Sequence, residues 1–176
     1  EWRDGDDMSV MLMAAMLAAG DADVVKCTVA KLPKGDLAKM QQGMIVGVLE
    51  GKKPTPATDA LVKAARRHAA TCQPGTGKAD ARAGDIVVTS IAVEALASGL
   101  SAKGVDPVAV NRRLSQTSPA VLNAFLARKQ TAEVDAFMTG MMNLAGAKKA
   151  DTRIQRLMGG YAFNAATLAR LFAAKG

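Results

Sequence analysis

Three dipeptides, Thr55-Pro56, Asp106-Pro107 and Ser118-Pro119, constrain the fold of this chain more than any other feature. In each, a side-chain oxygen able to accept a hydrogen bond from the first free N–H groups of a helix precedes a proline. The fixed φ of that proline suits the first helical turn. A chain that uses this device three times is divided into short helices with sharp starts. The other punctuation agrees. Asp6 or Asp7, Asp21, Asp36, Asp85, Thr131 and Thr152 stand where helices open, and Gly20, Pro33, Gly51, Pro74, Gly99 or Gly104, and Gly146 stand where they stop. The spacing predicts helices over 8–19, 22–32, 37–50, 56–72, 85–98, 132–145 and 153–174, with shorter ones opening at Pro107 and Pro119. Gly159-Gly160 costs helix stability and predicts an interruption of the last helix.

Only Asp85 to Val93 competes as a strand, through the β-branched run Ile86-Val87-Val88-Thr89. Its continuation is helical in composition, no second run exists to pair with it, and one strand makes no sheet. The expected fold is therefore all-α, a compact, irregular bundle of about eight helices. We expect one domain over 1–176, with helix-rich halves 7–72 and 85–174 joined by the glycine-rich loop 73–84.

Composition shows how such helices would pack. Of 176 residues, 35 are alanine, 10 are methionine and 3% are aromatic. Small residues permit close helix contact, and Gly43, Gly47 and Gly51 recur at four-residue intervals on one face. The hydrophobic share of 49% and mixed charge exclude a disordered chain. No run reaches about 18 consecutive apolar residues, so no transmembrane segment is expected. Met8 to Ala19 resembles the apolar core of a signal peptide. Its flank is acidic where a signal peptide is basic, so it reads as a buried first helix.

Cys27 and Cys72 are the only cysteines. Each lies toward the end of an apolar helical segment, and pairing them predicts one disulfide. The chain opens at Glu1 rather than Met, which reads as a trimmed, mature form. Together these features predict a periplasmic or secreted location.

Candidate chemistry is thin. His68 lies four residues before Cys72 on one helix face, the spacing of a nucleophilic pair or of two metal ligands, and a disulfide would remove both options. Met8, Met11, Met13 and Met16 mimic copper-protein spacings but diverge around a helix. Glu94 stands alone in an apolar helix, where burial would raise its pKa. Gly75-Thr76-Gly77-Lys78 lacks the preceding strand and first glycine of a phosphate loop. No catalytic residues, metal site or cofactor are expected, and the chain reads as no enzyme.

Two surface features remain. Met138, Met141, Met142, Tyr161 and Phe163 are the candidates for an apolar pocket between helices. Arg112, Arg113, Lys148, Lys149, Arg153 and Arg156 concentrate positive charge in residues 85–176, which carry 11 Lys/Arg against 6 Asp/Glu. With so few aromatic platforms a nucleic-acid partner is not expected. The leading expectation is a non-enzymatic module that binds another protein, an acidic one. The alternative is a carrier of an apolar small molecule.

Overall fold

The three cap–proline dipeptides act as their spacing predicts. Thr55 Oγ1 accepts from the Thr58 N–H at 3.2 Å, Asp106 Oδ1 from Val108 at 2.9 Å and Ser118 Oγ from Val121 at 3.4 Å. Thr131 Oγ1 does the same for the Val134 N–H at 3.3 Å. The adjacent Glu133 carboxyl is held below the usual carboxylate range by its own backbone N–H and by the Thr131 hydroxyl.

The computed structural model describes residues 19–73 and 81–173. Helices α1 (Ala19–Lys31), α2 (Lys34–Glu50), α3 (Pro56–Cys72) and α4 (Ala81–Ala102) are followed by α5 (Pro107–Ser115) and α6 (Pro119–Leu126). Helix α7 (Ala132–Asn143), a short 3₁₀ turn (Gly146–Ala150) and α8 (Thr152–Ala173) complete the described residues. Among the described residues no strand occurs, and these residues form an all-α bundle of eight helices with one disulfide.

Helix α4 forms the axis of the bundle. It packs on α8, α3, α2 and α1, and so it is apolar almost all round. By length and composition it could cross a bilayer, yet two-thirds of its apolar window is buried inside the bundle. Ile86, Leu96 and Leu100 of α4 join Leu157, Met158 and Tyr161 of α8 in the larger core cluster. Val87 and Ile91, on its other side, join Met40, Ala65 and Ala69 in a smaller one. Full burial of each large apolar side chain contributes about 1.5–3 kcal/mol.

Several boundaries differ from expectation. Ala81–Gly84 belong to α4 and not to a linker, because Ala83 is buried and Gly84 lies against the Arg66 side chain. Gly20 lies within α1 rather than ending a helix, whereas residues 8–18 and 74–80 lie outside the described residues. Asp36 sits in the first turn of α2, whose N-cap is Pro33. Gly159-Gly160 does not interrupt α8. A Cβ at Gly160 would come within 2.8 Å of Val48 Cγ1, so its glycine permits contact between α2 and α8.

Cys27 and Cys72 form the disulfide, joining α1 to the end of α3 across 45 residues of sequence. Three cations bind carbonyls at helix C-termini formed by distant parts of the chain. Arg82 reaches the carbonyl of Leu171 in α8, Arg156 that of Leu49 in α2 at 2.6 Å, and Lys148 that of Lys103 after α4 at 2.6 Å. Each places positive charge at the negative end of a helix dipole.

Candidate functional site

Four of the five residues expected to line an apolar pocket gather at the larger core cluster, Met141 and Tyr161 within it and Met138 and Met142 packed against it. Met141 and Tyr161 are fully buried in the core. Burial pushes the Tyr161 hydroxyl up to about 12, against the opposing effect of its hydrogen bond to Asn111, while the negative charge of Asp106 adds to the rise. Met138 and Met142 are half-buried at the margin of that core and also border an open groove of about 660 Å³ shared with Lys149 and Gln155. Phe163 belongs to an aromatic chain instead. Its ring lies 6.2 Å from Phe125, which lies 5.3 Å edge-on from Phe137, and the Arg128 guanidinium sits 6.0 Å above Phe163. Successive helical side chains turn by about 100°, so Met141 is fully buried while Met142 stays at the margin.

The six expected surface cations also divide. Lys148 and Arg156 bind helix-terminal carbonyls, as described above. Arg113 packs across Gly140 of α7, where a Cβ would meet its guanidinium at 2.7 Å. Arg112 is exposed on α5 and Lys149 borders the Met138 groove. Arg153 and Arg156 line a surface depression with Val46, Leu49, Glu50 and Lys52.

That depression joins a second concave surface. It adjoins a groove of about 680 Å³ between α2 and the first turns of α3, and the two share Val46, Glu50 and Lys52. Helix α2 builds the groove because it has a single fully buried residue, Met40. Its Ala38, Gln42, Val46 and Glu50 recur every four residues along the groove, opposite Ala57 and Leu61 of α3. Gly43 and Gly47 keep the floor low. Five cations, Lys39, Lys52, Lys53, Arg153 and Arg156, line the joined depressions against one carboxylate, Glu50. Lys52 pairs with Glu50 at 2.9 Å and Lys39 with Asp36 at 3.8 Å. Lys53 and Arg153 have no ion pair among the described residues.

Sequence reasoning singled out Gly43, Gly47, Arg153 and Arg156 but not their juxtaposition, and it missed Lys39, Val46, Lys52, Lys53 and Leu61. The available signal was the Lys52-Lys53 pair directly after the Gly51 stop. Only the approach of α8 to α2 brings Arg153 and Arg156 beside it.

The candidate pair, His68 and Cys72, lies on α3, and the lone acid, Glu94, on α4. Cys72 is bonded to Cys27, which leaves His68 no thiol partner. Glu94 is exposed rather than buried, on the narrow outward strip of α4. Among the described residues no three His, Cys, Asp or Glu side chains gather as a metal site requires. The chain matches no family model, no curated protein and no solved structure.

Proposed function

We propose that this protein is an exported, non-enzymatic binding module whose partner is an acidic protein surface seated in the groove between α2 and α3. The observation that carries this reading is the excess of five cations over one carboxylate around an apolar floor. Charge of one sign around a concave apolar site steers and selects a partner of opposite sign. The disulfide supports an oxidising compartment, periplasmic or extracellular. Full burial of Met141 and Tyr161 favours protein binding over carriage of an apolar molecule between the helices, since these side chains fill the space a ligand would need.

The test is affinity capture from extracts of the cells that make the protein, with wild type and Lys53→Glu/Arg153→Glu in parallel. A partner held by wild type and lost by the variant supports the reading. Its release should follow ionic strength from about 0.1 M toward about 1 M, as the Debye length falls from about 10 to about 3 Å. Equal capture by both proteins, or no specific capture, overturns it.

A further inference from the structure

We infer that the element received by this groove is an acidic amphipathic α-helix of about 12 residues, laid along α2. The inference rests on the protein-binding reading and specifies its partner. The outward row from Ala38 to Glu50 spans 12 residue steps, about 18 Å of helix, and a helix of similar length matches it. The walls come from two helices, α2 and α3, the arrangement that takes the apolar face of a third. Charge is unevenly placed: Lys39 stands toward one end, whereas Lys52, Lys53, Arg153 and Arg156 surround the other. The partner's carboxylates therefore concentrate at the end facing those four cations.

Gly47 supplies an independent indication. Gly43 is required by the fold, because a Cβ there would collide with the Thr58 side chain. At Gly47 a Cβ would only touch the Lys52 carbonyl at 3.5 Å, an ordinary contact. A glycine inside a helix lowers its stability, and packing among the described residues does not demand one at position 47. It does keep the groove floor open to a close-lying backbone.

The experiment is selection of a displayed library of 14-residue helical peptides, about four turns, against the full chain with its disulfide intact. Enrichment of sequences with small or apolar residues at i, i+4 and i+7 or i+8, and with excess Asp and Glu at one end, supports the inference. The selected peptide should bind Lys53→Glu/Arg153→Glu at least tenfold more weakly. Gly47→Ala should bind it severalfold more weakly while unfolding at a higher temperature, which separates lost binding from lost folding. No enrichment, enrichment of basic or helix-breaking sequences, or unchanged binding to both variants overturns the inference. If cellular capture still depends on Lys53 and Arg153 in that case, the acidic-partner reading stands and only the helical form of the partner falls.

Discussion

The Arg82 guanidinium donates two hydrogen bonds to the Leu171 carbonyl, at 3.0 Å from Nε and 2.8 Å from Nη2. The same side chain approaches Asp21 Oδ2 at 3.4 Å. One residue at the start of the axial helix thus joins the last turn of α8 to the first turn of α1, across 89 and 61 positions of sequence. Both members of the ion pair are mostly buried, at 20% and 10% side-chain exposure, so water screens the pair less than a surface pair.

Replacing Arg82 by alanine should therefore lower unfolding stability by about 2–3 kcal/mol, since a charged donor is lost and a buried carboxylate loses its cation. Arg82→Lys should recover only part of this, because an ammonium lacks the guanidinium fork. Urea unfolding of the three proteins measures both effects. Equal stability of wild type and Arg82→Ala would remove the proposed tie between α1, α4 and α8.

The Cys27–Cys72 bond closes a loop of 45 residues. Chain entropy alone assigns such a closure about 4 kcal/mol of stability. Paired substitution to alanine, or unfolding with and without reductant, should show a loss of that order. Thiol alkylation before reduction should label neither cysteine, and intact mass reads this directly.

Tyr161 is the sole tyrosine, so the phenolate absorbance of the folded protein reports it alone. Its folded pKa of about 12 lies above the ordinary value of 10.0. Below pH 10 the hydroxyl is protonated in both folded and unfolded chains and stability is unaffected. Above pH 10 the unfolded chain ionises first, and stability falls until the folded pKa is passed, by on the order of 2–3 kcal/mol. Tyr161→Phe should flatten this alkaline decline, while losing the hydrogen bond to Asn111 at every pH.

Gly159 and Gly160 are neighbours with opposite expected responses to alanine. Nothing lies within 4 Å of a Cβ placed on Gly159, whereas one on Gly160 would press on Val48 at 2.8 Å. Gly159→Ala should stabilise the protein by about 0.5–1 kcal/mol through helix propensity. Gly160→Ala should destabilise it by about 1–3 kcal/mol through overpacking. Thermal unfolding of the pair distinguishes them, and two stabilising substitutions would show that α2 does not rest closely on α8.

Local chemistry explains which parts of the structure were legible in advance. The caps at Thr55, Asp106, Ser118 and Thr131 need only residues within a few positions, and each is formed as the sequence implies. Gly159-Gly160 misled because propensity counts the cost of glycine and cannot register Val48, which arrives from α2. Glu94 misled in the opposite sense. Its neighbours in sequence are buried, but the packing of α4 leaves one strip open to solvent.

The sequence by itself determined the helical class, most of the helix starts and the two cysteines available for pairing. Those properties depend on backbone hydrogen bonding, proline geometry and cysteine count, all of which are local or compositional. The tertiary structure alone decided that Lys148, Arg156 and Arg82 would serve helix C-termini. It also brought Arg153 and Arg156 beside Lys52 and Lys53 to form a cationic groove. The physical reason is the docking of α8 on α2 through Gly160 and Val48: a contact between residues more than a hundred positions apart leaves no periodic trace in either segment, yet it sets the charge around the groove.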